Sequence, residues 1–172
     1  MKKIIIVLAL ITIVYSVVNT KEEYVIVPKN SVRFRIIPNS NAPKDLYIKE
    51  QVKTSIDSVI KEIEKSKTIN EARTSIKENI NLVENKVSEV FKENNYNMDF
   101  KINYGTNYFP EKIYKGVKYE AGEYESMVVK IGSGSGDNYW CVLFPPLCLM
   151  EAEETNDVEY KFFIKEIIDK IF

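Results

Sequence analysis

Histidine is absent from the 172 residues of this chain, and that absence excludes more chemistry than any other feature. Ser-His-Asp and Cys-His catalysis both need an imidazole base, and an HExxH zinc site needs two imidazole ligands. Two cysteines without histidine cannot close a four-ligand zinc site from nitrogen and sulfur. A charge excess of either sign is also missing: 24 basic residues against 25 acidic ones leave a net charge of −1. Lysine is spread along the chain rather than clustered, so no basic field is available to hold nucleic acid. The expectation is a protein with no catalytic residue, no cofactor and no metal. One domain with a sizeable core is expected, because about 150 folded residues bury roughly 68–70% of their unfolded surface.

The residue types that are scarce elsewhere gather in residues 132–148. This stretch holds the single Trp, both Cys, an adjacent Pro pair and three of the six Gly. Trp140, Val142 and Phe144 alternate with Cys141 and Leu143, the pattern of a strand buried on both faces. Gly132, Gly134 and Gly136 lack the Lys-Ser/Thr ending and the following helix of a phosphate loop. Asp137, Asn138 and a strand follow instead, so a flexible hairpin loop is expected. Bonding Cys141 to Cys148 would close a short loop worth roughly 2–3 kcal/mol on the chain-entropy account. It requires residues 144–147 to double back, since an extended run would hold the sulfurs ~20 Å apart. Two buried free thiols are the alternative, and the sequence leaves both open. No adjacent positive group marks either cysteine as a reactive thiolate.

Met1-Lys2-Lys3 precedes an apolar run over residues 4–18, broken only by Thr12, Tyr15 and Ser16. A positive start and a core of about 15 residues fit a secretory signal. A spanning helix usually needs about 20 apolar residues, so the run is short for an anchor. Yet Ser16-Val17-Val18-Asn19 lacks the small-x-small pattern that signal peptidase prefers. Residues 1–20 are therefore read as a signal peptide or N-terminal membrane anchor, 21–30 as a polar tether and 31–172 as a single domain.

Within that domain Val32, Phe34 and Ile36 alternate with Arg33 and Arg35. This is a half-buried strand whose arginines are expected on the solvent face. Pro38 to Pro43 reads as a turn into a helix, with Ser40 or Asn41 as N-cap. Ile48, Val52, Ile56, Val59, Ile60 and Ile63 recur at helical spacing, as do Ala72, Ile76, Ile80, Val83, Val87, Val90 and Phe91. Thr68-Ile69-Asn70-Glu71 between them has capping-box form. Two narrow apolar stripes cannot shield each other on all sides, so the pair should lie across a sheet rather than form a coiled coil. Strands are expected over 98–104, 113–119 and 123–131. An acidic linker over 151–157 precedes a helical pattern of Tyr160, Phe163, Ile164, Ile167, Ile168 and Ile171, with a strand start over 158–162 as the alternative. The fold class is α+β: an αα-hairpin packed on a small, mainly antiparallel sheet, with a C-terminal helix.

Tyr139-Trp140-Cys141-Val142-Leu143-Phe144-Pro145-Pro146-Leu147-Cys148 after a Gly-rich loop resembles the signature of the stage II sporulation protein R family. The likeness extends to the run from Val32 to Ser40, to Asp45 with Lys49 and Val52, to Phe109-Pro110 with Tyr114 and Gly116, and to the run from Ala121 to Glu125. Three positions differ: Tyr139 stands where a second Trp is usual, Pro38 where Ala is common and Arg35 where His often sits. The resemblance implies an exported sporulation signal. Such proteins pass from the forespore into the space between the forespore and mother-cell membranes. There they activate a membrane-embedded aspartic protease of the mother cell, triggering processing of pro-sigma-E. A hydrolase of the cell wall or of peptides is the reading from another class, using paired carboxylates such as Glu123 and Glu125, which alternation puts on one strand face.

Partner surfaces are enriched in aromatic residues and Arg. The candidate partner-binding residues are therefore Arg33, Arg35, Asn39, Ser40, Asp137, Asn138, Tyr139, Trp140, Phe144, Pro145 and Pro146. The N-terminal segment would meet the membrane before any cleavage. Export is testable directly: a reporter enzyme active only outside the membrane should work when fused after Phe172, and a fusion active only in the cytoplasm would refute it.

Overall fold

The computed structural model describes residues 24–148 and 157–172. The expected signal or anchor, residues 1–20, lies outside these, as does most of the acidic linker. Val25–Ile26 forms β1 and Val32–Ile37 forms β2. Helices α1, Pro43–Ile63, and α2, Ile69–Glu93, follow. Five strands come next: β3 Phe100–Phe109, β4 Lys112–Tyr114, β5 Val117–Tyr119, β6 Gly122–Ile131 and β7 Tyr139–Phe144. The last element is α3, Asp157–Ile171, which is helical throughout where a strand start had been the alternative. Four strands make one sheet in the order β3-β6-β2-β7, and a smaller sheet has the order β1-β5-β4. Pairing is antiparallel except β2 with β6 and β1 with β5. The α+β class with a helical hairpin on a sheet and a C-terminal helix is what the chain adopts.

The helices start where local chemistry allows. Pro43 opens α1, where its fixed φ suits the first turn. The N-cap is Ala42, which makes no side-chain capping bond, rather than Ser40 or Asn41. The Ser40 hydroxyl accepts from the Ala42 N–H and donates to Asp45, and Asn41 accepts from the Asp137 N–H. Thr68 caps α2 by accepting from the Glu71 N–H. The Glu71 carboxylate reaches back to the Lys67 N–H, one residue beyond the usual capping box.

Ile48, Val52, Ile56 and Ile63 of α1 and Ala72, Ile76, Val83 and Val87 of α2 are buried against Val32, Phe34, Ile36, Met127, Val129 and Leu143 of the larger sheet. The helical stripes are thus covered by a sheet, as their width required.

The opposite face of that sheet departs from expectation. Strand alternation does send Arg33 away from the helices, but the face it reaches is roofed by the small sheet and α3. Val27, Val117, Tyr119, Val142, Leu147, Tyr160 and Ile164 form a second core there. Arg33 is in consequence 1% exposed, not on a solvent face, while Arg35 is part-buried. Part of the expected tether is structural: Val25 and Ile26 pair with Val117 and Lys118, and Val27 is fully buried. Lys115 and Gly116, both at positive φ, form the two-residue turn that pairs β4 with β5.

The Gly-rich segment is not a hairpin, because β2 lies between β6 and β7. Residues 132–138 must cross the end of β2 to join them. Packing of the hairpin on the sheet predicts a contrast within α2. Ile76→Ala should lower the unfolding free energy by about 2–5 kcal/mol, whereas Leu82→Ala, at a side chain 44% exposed, should change it by less than about 0.5 kcal/mol. Urea denaturation measures both.

Candidate partner-binding surface

Where residues 132–137 cross the end of β2 they zip against residues 38–41. Ser135 and Gly136 donate their N–H groups to the carbonyls of Asn39 and Pro38, both at 3.2 Å. The Ser133 and Ser135 hydroxyls donate to the same Asn39 carbonyl at 2.6 and 2.7 Å. The Asn39 side-chain oxygen accepts from the Ser133 N–H, and that of Asn41 from the Asp137 N–H. Gly132 has φ +52°, and a Cβ there would meet the Asn39 side chain; one at Gly136 would meet the Ser40 backbone carbonyl. At Gly136 the two backbones approach too closely for a side chain, and at Gly132 the left-handed φ and the Asn39 side chain packed on it call for glycine. The expected flexible loop is therefore a tied one.

Asp45, in the first turn of α1, is the acceptor that anchors this arrangement. It is 7% exposed and accepts from the Ser40 hydroxyl at 2.6 Å, the Asn39 amide at 2.8 Å and the Tyr96 hydroxyl at 2.6 Å. The bond from Ser40, followed by that from Tyr96, holds the Asp45 carboxyl below the usual carboxylate range. Burial and the Asp45 charge push the Tyr96 phenol up in turn.

The structure brings some sequence-derived candidates together and removes others. Phe144 and Pro145 are buried and Pro146 part-buried; the turn they form returns the chain so that the Cys141 and Cys148 Cα atoms are 4.9 Å apart and their sulfurs bonded. The Leu147 N–H donates to the Val142 carbonyl, covering part of the β7 edge. Asn39 and Ser40 are taken up by the zipper. A part-exposed run remains, Asp137-Asn138-Tyr139-Trp140, at the edge strand of the larger sheet, with Arg35 paired opposite Trp140.

Two lysines that the sequence did not single out flank this edge strand, one on each side of the sheet. Lys53 of α1 lies 4.5 Å from the Tyr139 ring centroid, and Lys112 of β4 lies 5.4 Å from that of Trp140. No local signal marks them among many lysines, since both contacts join distant segments.

Arg33 lies inside the roofed face. Its guanidinium carbon is 3.3 Å from the centroid of Tyr124, 5.3 Å from that of Phe109 and 5.9 Å from that of Tyr119. It is the Tyr124 ring face that meets the cation; the Tyr124 hydroxyl donates to the Glu120 carbonyl. Burial pulls the Arg33 guanidinium below its ordinary value, opposed by attraction from Tyr124, Tyr119 and Glu120.

The carboxylate pair of the hydrolase reading is not poised for acid–base work. Glu125 accepts from Arg73 Nε and Nη2 at 2.8–3.1 Å and from the Tyr104 hydroxyl. The Arg73 bonds hold it below its usual range, the wrong direction for a general acid at neutral pH. Glu123 is exposed. Among the described residues no three Cys, Asp or Glu side chains gather to hold a metal.

The Asp45 geometry predicts a pH signature. Its folded value is depressed, so the stabilisation is fully present above the unfolded value of about 3.9 and is lost as pH falls through the folded one. Asp45→Asn should lower stability at pH 7 by about 1–3 kcal/mol. Urea midpoints measured down the pH scale should show wild type and variant converging below about pH 4.

A model of the family Stage II sporulation protein R matches residues 28–154. Stage II sporulation protein R of Bacillus subtilis (strain 168) is 31% identical over 156 residues, covering 88% of this chain and 70% of that protein. No solved structure matches. The matched span includes β2, the zipped Gly-rich segment, the Asp45 anchor and the cysteine turn, and by the family match and the identity together the chain belongs to the stage II sporulation protein R family.

Proposed function

We propose that this protein is an exported sporulation signal that acts by stoichiometric binding. It leaves the forespore and, in the space between the forespore and mother-cell membranes, activates a membrane-embedded aspartic protease that processes pro-sigma-E. Membership of a stage II sporulation family supports the setting, and the Lys2-Lys3 start with the apolar run after it supports export.

The observation that carries the binding role is the held, part-exposed run from Asp137 to Trp140. Aromatic anchors are enriched in the energetic centres of interfaces, and a surface ordered before binding loses less entropy on association. The zipper to residues 38–41 supplies that order.

The test is to place the protease and its substrate in a heterologous membrane, with and without this protein. Processing should require it and saturate with its amount. Asp137 contributes only its backbone N–H and carbonyl to the zipper and to Lys49. Asp137→Ala should therefore keep the melting curve while reducing activation by about tenfold or more. Lys61→Ala and Glu78→Ala, on outer helix faces, should alter neither. Normal signalling by the loop variant, or turnover of a peptide or glycan by the purified protein, would refute this assignment.

A further inference from the structure

Arg33 is the group whose chemistry the fold leaves incomplete. It is 1% exposed, and its Nε, Nη1 and Nη2 have no hydrogen-bond partner among the described residues. Buried polar groups are nearly always hydrogen-bonded, and an arginine carries five N–H donors and a charge it does not shed. The ring faces of Tyr124, Phe109 and Tyr119 attract the cation, but a ring face does not replace an oxygen acceptor for those N–H groups. Glu120 attracts Arg33 only at longer range. Arg35 Nε is likewise buried without an acceptor. Among the described residues neither arginine, nor Lys112, is in an ion pair.

A cavity of about 10 Å³ adjoins Arg33. Phe109, Tyr119 and Val142 wall it and are buried, while Lys112 and Trp140 line its part-exposed side. That volume is about one water-sized sphere, which suits a single oxygen atom and is too small for a phosphate. The surroundings are cationic, so the oxygen should be anionic.

We propose that this cavity is an anion site that takes one carboxylate oxygen of an Asp or Glu side chain presented by a protein partner, with the second oxygen held outside beside Lys112. Arg33 supplies a buried donor fork, Lys112 the outer charge and Trp140 the part-exposed wall. Naming a partner as the source rests on the binding role proposed above. The site itself is tested without the protease, so failure of one is distinguishable from failure of the other.

Trp140 is the only tryptophan, so its emission reports on the cavity directly. The full chain, in mild detergent at constant ionic strength, is titrated with acetyl-Gly-Asp-Gly-amide, with its Asn counterpart, with sodium formate and with sodium chloride. The Asp peptide should give a saturable change, at about tenfold lower concentration than the Asn peptide, because a charged acceptor makes the stronger hydrogen bond. Formate should compete with it. Arg33→Gln should abolish the response. If Arg33→Gln does not fold, Lys112→Gln decides: it should weaken the Asp peptide by about threefold or more with an unchanged melting curve, and unchanged binding would overturn the proposal.

Equal response to the Asp and Asn peptides, or none to either, also overturns it. Saturation by formate or chloride with the Asp peptide silent means an adventitious ion only. A response that emerges only in the E151Q/E153Q/E154Q variant would mean that the chain's own acidic stretch serves Arg33, and would overturn the partner assignment.

Discussion

The placement of β2 between β6 and β7 is the constraint on which the rest depends. β2 runs parallel to β6 and antiparallel to β7, so both neighbours come from the other end of the sequence. A parallel pair needs a long crossover, and the αα-hairpin lies within that connection, which carries it onto one face of the sheet. The link from β6 to β7 must then pass over the end of β2. Its backbone is thereby brought against residues 38–41, closely enough that Gly132 and Gly136 have no room for a side chain. One topological fact thus accounts for the αα-hairpin, the Gly-rich crossing and the zipper between them.

The same strand divides the molecule into two chemically different halves. On the helix side its residues are Val32, Phe34 and Ile36, and the core is mainly apolar, with Ile and Val side chains beside the rings of Phe34, Phe91 and Phe144. On the other side Arg33 and Arg35 meet a ring cluster of Phe109, Tyr124 and Trp140. A buried cation without a carboxylate is costly, and aromatic faces offset only part of that cost. Among the described residues no acceptor completes the Arg33 guanidinium, and this face is also the one that presents Trp140.

Two carboxylates show how burial separates roles that look alike in one dimension. Asp45 joins α1, the turn after β2 and Tyr96 beyond α2 through the three hydrogen bonds its carboxylate accepts. Glu125 ties β6 to α2 through Arg73 and to β3 through Tyr104. Each carboxylate is held below its usual range by several donors, a structural rather than an acid–base arrangement, and the Asp45 contacts fix Asn39 and Ser40, against which the Gly-rich segment is zipped. Order of that kind serves a binding surface, since loops already held in place have less to lose on association.

Periodicity alone determined much of this architecture. The stripes of α1 and α2, the Thr68 cap and the alternation of β2 are local patterns, and local patterns follow from 3.6- and two-residue repeats that any packing must respect. The family signature in residues 139–148 was legible for the same reason, being contiguous. What periodicity could not convey is which strand lies beside which. Alternation put Arg33 on the face opposite Phe34 but was silent on whether water or a second sheet covered that face, because β1, β5 and α3 reach it from distant segments. A Gly-rich run between two strands reads as a hairpin unless a third strand is known to lie between them. Lys53 on Tyr139, Lys112 on Trp140 and Arg73 on Glu125 are pairings of the same kind. Tertiary structure decided them, because contact between remote residues is a property of strand order and layer packing, and neither is written in the spacing of neighbours.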